Sequence, residues 1–285
     1  MRERVVRSGV KGMTAVSVLA LCLAGCGDLT APMPAEDFNI TVEVSGGFAG
    51  VSYSFEVSGQ EGVVRGLSCE SVCDFDPGEV FTTLSTSQIQ RTGEELRATG
   101  ILLLDGIDFG TQCCDQFSYA ITYEDGERRS IVRGDSGTLP PLLLRAIDTL
   151  TGMVDGRLPI IVALESGPDA FPNDALLVDD AQVVGQSLEV SVSYSGGCAT
   201  HEIDLVAVGG WLESFPVQVN VFLSHEDNDD PCDAQVSEMR SFDLTRLADA
   251  YRTAYGPGDP GETTLVLRLQ DPTEPGGVRL IEYLF

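Results

Sequence analysis

Two spacings of apolar residues alternate along the chain and predict most of its elements. Phe38, Ile40, Val42 and Val44 alternate with Asn39, Thr41 and Glu43, and Val51, Tyr53, Phe55 and Val57 resume the alternation after Gly46-Gly47-Phe48-Ala49-Gly50. A period of two belongs to a half-buried strand, so this stretch predicts a hairpin with a glycine-rich tip. Ser85 followed by Gln88 has the spacing of a capping box and opens a helix to about Ala98, with Gly100 as its stop. Residues 117–123 and 129–133 read as strands across a turn in which Asp125-Gly126 supplies the positive φ of a tight hairpin. Pro140 and Pro141 then start a helix whose apolar face is Leu142, Leu143, Ala146, Ile147 and Leu150. The order strand, strand, helix, strand, strand, helix predicts an α+β first domain, an antiparallel sheet with two helices on one face.

After a glycine-flanked loop at 156–159 the pattern is almost entirely period two. Residues 160–164, 188–194, 203–208, 217–223, 264–269 and 278–285 are short alternating runs separated by Gly, Pro, Asn and Asp, as in a mainly-β, sandwich-like domain. One helix interrupts them at about 245–255, with Leu244, Leu247, Ala248 and Tyr251 on one face and Gly256-Pro257 ending it. The expected domains are therefore 38–156 and 157–285, and no internal repeat relates them.

The first 37 residues follow a different logic. Arg2, Arg4, Arg7 and Lys11 precede an apolar run from Met13 to Leu23, the basic and apolar regions of a secretory signal and too short to span a bilayer. The run ends in Leu23-Ala24-Gly25-Cys26, which resembles the lipobox of bacterial lipoproteins. That resemblance implies cleavage after residue 25, acylation of Cys26 (diacylglycerol, then a further acyl chain such as palmitate) and a bacterial envelope location. Gly27 stands where an Asp retains many lipoproteins in the inner membrane, so the outer membrane is expected, on its periplasmic or surface face. Residues 26–37, with Pro32 and Pro34, read as an extended tether.

Charge narrows the partners. The chain has 17 Lys plus Arg and 44 Asp plus Glu; four of the bases and one acid precede Cys26, leaving 13 arginines, no lysine and a net charge of −30 after it. Such a surface argues against nucleic acid and anionic head groups and favours cationic partners. Membrane contact should come from the lipid.

Six cysteines remain after Cys26: Cys69, Cys73, Cys113, Cys114, Cys198 and Cys232. An even number in an oxidising compartment reads as three disulfides. Cys198 is expected to pair with Cys232, and Cys69 and Cys73 to cross to Cys113 and Cys114, because adjacent cysteines point apart on an extended chain. His201 and His225, the only histidines, lie near Cys198 and Cys232, so a tetrahedral zinc site of those four residues is the alternative; the oxidising compartment and the spacing favour the disulfide. The run Asp227–Asp230 is expected to be a solvated acidic loop, since Pro231 stands where a calcium loop needs its next ligand. No cofactor is expected. Gly134-Asp135-Ser136-Gly137 has no histidine before it in the chain, neither His-Glu pair continues to a second histidine four residues on, and no glycine-rich phosphate loop occurs. The chain reads as a binding protein, not an enzyme.

The residues Phe38-Asn39-Ile40-Thr41-Val42-Glu43-Val44-Ser45-Gly46-Gly47-Phe48-Ala49-Gly50 resemble the opening of the emfourin family, small inhibitors of protealysin and related thermolysin-like metalloproteases. Asp115-Gln116-Phe117-Ser118-Tyr119, the Asp125-Gly126 turn, and Leu139-Pro140-Pro141-Leu142 entering a helix with Arg145 are similar to the rest of that pattern. The resemblance covers residues 38–150 and implies a thermolysin-like protease as partner; the segment 69–78, the lipid anchor and the second half depart from it. It does not assign contact residues. The tip Gly46, Gly47, Phe48, Ala49 and Gly50 is the candidate contact, either as a rigid loop presenting Phe48 or as a turn with Phe48 folded back on the sheet, the second being favoured by the usual burial of aromatic side chains. The alternative function is a structural or adhesive envelope lipoprotein that inhibits nothing.

Overall fold

The computed structural model describes residues 37–111, 115–257, 261 and 263–285. Four strands open it: β1 Phe38–Gly46, β2 Val51–Ser58, β3 Val63–Ser71 and β4 Val80–Thr83. Helix α1 Thr86–Ala98, strands β5 Phe117–Asp125 and β6 Arg128–Asp135, and helix α2 Pro141–Val154 follow. The six strands form one antiparallel sheet in the order β4-β3-β2-β1-β5-β6. Phe38, Ile40, Val42 and Val44 turn to one face and are buried with Phe55, Ile121, Tyr123, Leu96 of α1 and Leu143, Ile147 and Leu150 of α2. The expected hairpin, both helices and the Asp125-Gly126 turn are present. Leu142 departs from the expected apolar face: it is 59% exposed, and Met153 joins the core instead.

In the second half come β7 Arg157–Pro159, β8 Ile161–Ala163, β9 Leu177–Val184, β10 Ser187–Gly196, β11 Glu202–Leu212, β12 Val217–Glu226, β13 Ala234–Asp243, helix α3 Thr245–Tyr255, β14 Thr264–Gln270 and β15 Val278–Leu284. They make a four-stranded sheet, β7-β13-β10-β9, and a five-stranded sheet, β15-β14-β12-β11-β8. Among the described residues the fold is thus mainly β, with three sheets and three α-helices. Ile203 to Val208 are buried without interruption because β11 is covered on both faces: Leu205 and Ala207 enter the main core, Val206 and Val208 a second cluster with Ile161, Ala163 and Phe222. The alternation read from sequence marks β11 as a strand, but not its double burial.

Polar groups tie residues 38–156 to 157–285. The Ser85 hydroxyl caps α1 by accepting the Gln88 backbone N–H at 3.0 Å and donates to Asp204 of β11 at 2.5 Å. Gln88 does not close the capping box; its amide donates to the Pro159 carbonyl at 2.8 Å and to Asp204 at 3.0 Å. Glu95 pairs with Arg246 at 2.5 Å and Arg145 with Asp249 at 3.4 Å. Burial pushes the Asp204 carboxyl above the usual carboxylate range. The described residues belong to one compact unit, and among them no helix is long and apolar enough to cross a membrane.

Candidate functional site

The β1–β2 turn is held from behind by the start of β5. Gly46, Gly47 and Gly50 have φ of 96°, 68° and 66°, so the chain reverses through conformations that side chains disfavour. The Gly47 N–H donates to the Gln116 carbonyl at 3.0 Å and the Gly50 N–H to the Gly47 carbonyl at 3.1 Å. A Cβ on Gly46 would lie 2.7 Å from the Gln116 oxygen, and one on Gly47 2.8 Å from the Phe117 ring. Phe48 is 94% exposed, which corrects the expectation that it folds back on the sheet. Gly46 and Gly47, which precede it, lie against Gln116 and Phe117, and the Phe48 ring stands out into solvent. Phe117 beside it is itself 41% exposed, so the tip presents two aromatic side chains.

Behind the tip the outward face of the sheet is polar and lined with small side chains. Ser52, Ser45 and Ser118 lie in register across β2, β1 and β5, and Ser54, Glu43, Ala120 and Arg133 form the next row. With Asp108, Gly110 and Thr111 along one wall they enclose a trough of about 510 Å³ that begins at the tip.

The second cluster is a buried chain of histidines. Asp230 accepts the backbone N–H groups of Gly197, Cys198 and Ala199 at 2.8, 2.9 and 2.9 Å and that of Cys232 at 2.8 Å. The Ala199 bond, with those of Cys232 and Cys198, holds its carboxyl well below the usual carboxylate range. A carboxylate only accepts, so His201 Nε2, 3.1 Å away, carries the proton toward it, and in the neutral ring His201 Nδ1 accepts from His225 Nε2 at 2.8 Å. The Tyr194 ring stacks on His201 with centroids 4.4 Å apart. A Cβ on Gly196 would lie 2.4 Å from His201 Nε2, which reserves that position for glycine. The acidic run is therefore not simply a solvated loop: Asp230 turns inward. Its place directly before Pro231-Cys232 was the available signal, lost among four consecutive acids and amides.

Cys198 and Cys232 are joined, as expected, and the sulfurs a zinc site would use are thereby committed. Cys69 and Cys73 are joined to each other with Cα atoms 5.8 Å apart, which corrects the crossed pairing. Val72, at φ 55°, turns the chain back between them. Cys113, Cys114 and the lipidation candidate Cys26 lie outside the described residues. Asp174, Glu226 and Asp227 also bring carboxylates together, with Asp174 accepting the Asp227 N–H at 2.9 Å.

His225 is 1% exposed, and its Nδ1 has no hydrogen-bond partner among the described residues. Burial, reinforced by the neighbouring His201, pushes its imidazole below the ordinary value. His201, Asp230, Tyr194, Asp174 and Asp227 are the titratable groups around it. A histidine charged more readily in the unfolded chain contributes stability above pH about 6.5 that is lost as pH falls below it. The urea midpoint should fall more steeply between pH 7.5 and about 5 for the native chain than for His225→Gln. Parallel pH profiles would count against this assignment.

No family model and no curated protein match the chain. Among solved structures it is similar to a NigD-like immunity protein from Bacteroides caccae, 14% identical over 89% of this chain and 94% of that one, with a TM-score of 0.33. It is similar to a protein of unknown function, DUF1344, from Bacteroides vulgatus, 13% identical over 60% and 72%, with a TM-score of 0.32. A protein from Bacteroides fragilis whose description proposes a lipoprotein is 12% identical over 59% and 80%, also with a TM-score of 0.32. At those scores none of the three assigns this chain a role.

Proposed function

We propose that the chain is a lipid-anchored envelope protein whose residues 38–156 bind and inhibit a thermolysin-like metalloprotease, without catalytic chemistry of their own. The observation that carries the reading is Phe48, 94% exposed at the end of a hairpin braced by Gln116 and Phe117. A rigid exposed aromatic loses little conformational entropy on binding, and burying it contributes about 1.5–3 kcal/mol. The emfourin resemblance of residues 38–50 and 115–150 supports the class of partner, and the lipobox ending in Cys26 supports the anchor at the outer membrane. Residues 157–285 then serve as the sandwich-like body to which the first half is fastened through Asp204 and Arg246.

A complete interface would cover roughly 1,600 Å², more than the tip alone offers, and the trough behind Phe48 extends the contact. The acidic surface favours fast association with a basic protease, at a rate that falls with salt.

The test uses the mature chain, because Asp204 and Arg246 anchor the first half to the second. It should inhibit at least one enzyme of a thermolysin-like panel that includes one from the same source, and Phe48→Ala should weaken inhibition by ~2 kcal/mol, about thirtyfold. A mature mass lacking acyl chains on Cys26 would remove the anchor from the reading. A folded, disulfide-intact chain that neither binds nor slows any enzyme of the panel would remove the inhibitor; an unchanged affinity of Phe48→Ala would move the contact off the tip.

A further inference from the structure

Where α1, α2, α3 and β8 meet, on the seam between the two halves, lies a groove of about 430 Å³. That is within the range of small-molecule sites, about 300–1,000 Å³, and such sites favour seams of this kind. Its floor is apolar, made by Ala98, Ala146 and Val162, and Leu142, exposed on α2, stands at its edge.

Three of the thirteen arginines that follow Cys26 reach this one groove: Arg91, Arg145 and Arg246. Their donors are unequally used. Arg145 pairs with Asp249 at 3.4 Å, and Asp249 also pairs with Arg252 at 3.2 Å, so that acid is committed. Arg246 gives Nη2 to Glu95 at 2.5 Å, yet its Nε is buried and donates to nothing among the described residues. Arg91 makes no ion pair with a described residue and lies near enough to Arg246 for the two charges to repel. Arg246 is the buried partner of that pair, its side chain 13% exposed, while Glu95 is 41% exposed.

A buried N–H without an acceptor is costly, and Glu95 is a single carboxylate set against the two cations Arg91 and Arg246. Both are relieved by one anionic group. A cation would find Glu95 and Asp249 already taken by arginines and Glu94, the third acid of the lining, holding the Gln90 amide at 3.1 Å. A polyanion such as a nucleotide would bring more charge than Arg91 and one spare N–H can match. The geometry points to a binding site for a small monocarboxylate with an apolar body, its carboxylate accepting from Arg91 and Arg246 Nε and its body lying on Ala98, Ala146 and Val162. This site is separate from the Phe48 tip and does not depend on the inhibitor reading.

The test is a titration of the mature chain, labelled with ¹⁵N-arginine, with 4-phenylbutyrate as the probe. The Nε resonances of Arg91 and Arg246 should shift saturably while that of Arg129, on β6, stays in place. The neutral isostere 4-phenylbutanamide should bind about tenfold more weakly, the loss of one charge-assisted contact. Arg91→Gln, which breaks no ion pair, should lose about tenfold, and Ala98→Phe, which fills the groove and leaves every charge, should lose as much. Equal binding of acid and amide, no saturable shift by roughly 10 mM, or native affinity in either variant would each overturn the proposal.

Discussion

Asp125→Ala is expected to lower the unfolding free energy by about 3–5 kcal/mol, because it leaves two arginines without their buried partner. Asp125 is fully buried at the end of β5 and accepts Arg97 Nε at 3.0 Å, Arg97 Nη2 at 3.1 Å and Arg128 Nη2 at 2.9 Å. Arg97 belongs to the last turn of α1, so one carboxylate fastens the helix to the β5–β6 hairpin. Stability of the whole chain is on the order of 5–15 kcal/mol, and a loss of this size is a large part of it. Urea unfolding at neutral pH measures it. A loss below about 1 kcal/mol would mean that the pair is screened like a surface ion pair and is not holding the hairpin.

The second large effect separates the two described disulfides by the length of chain each closes. Cys198 and Cys232 are 34 residues apart and Cys69 and Cys73 only 4. On chain entropy, the first contributes about 4 kcal/mol and the second about 2. Replacing Cys198 and Cys232 with serine should therefore lower the urea midpoint about twice as far as replacing Cys69 and Cys73. It should also loosen Asp230, which accepts the N–H groups of both Cys198 and Cys232, and so disturb His201 beside it. The scheme is wrong if the short bridge costs more to remove than the long one.

How far the fold could be read from residues varied with how strictly each element kept its period. The β1–β2 hairpin, α3 and the Asp125-Gly126 turn were legible because burial, spacing and turn chemistry agree there. β13 was not, since Val236, Glu238 and Arg240 share one side of the strand and only Phe242 of its ten residues is buried. β3 was hidden because Gly66 interrupts its alternation and its end falls in the segment 69–78, which read as a departure from the resembled pattern. Gly66 is there because the Phe75 ring would lie 2.4 Å from a Cβ at that position. At the tip, the glycines announced a special backbone, but the direction of Phe48 depends on Gln116 and Phe117, nearly seventy residues away in the chain. The pairing of Cys69 with Cys73 required a left-handed Val72, which no residue preference would have suggested.

β1 has one further consequence, in mechanics. It is hydrogen-bonded along its length on both sides, to β2 and to β5, and the tether segment enters at Phe38 while Phe48 follows Gly46 at the opposite end. Nine strand residues span roughly 30 Å, so the aromatic tip stands about that far from Phe38, where β1 begins. A pull between the two ends runs along the backbone of β1 itself, which is already nearly extended, so neither ladder has to open for the load to pass. On the lipid anchor proposed at Cys26, the strand that carries the candidate contact is also the strut through which a bound partner's pull is carried.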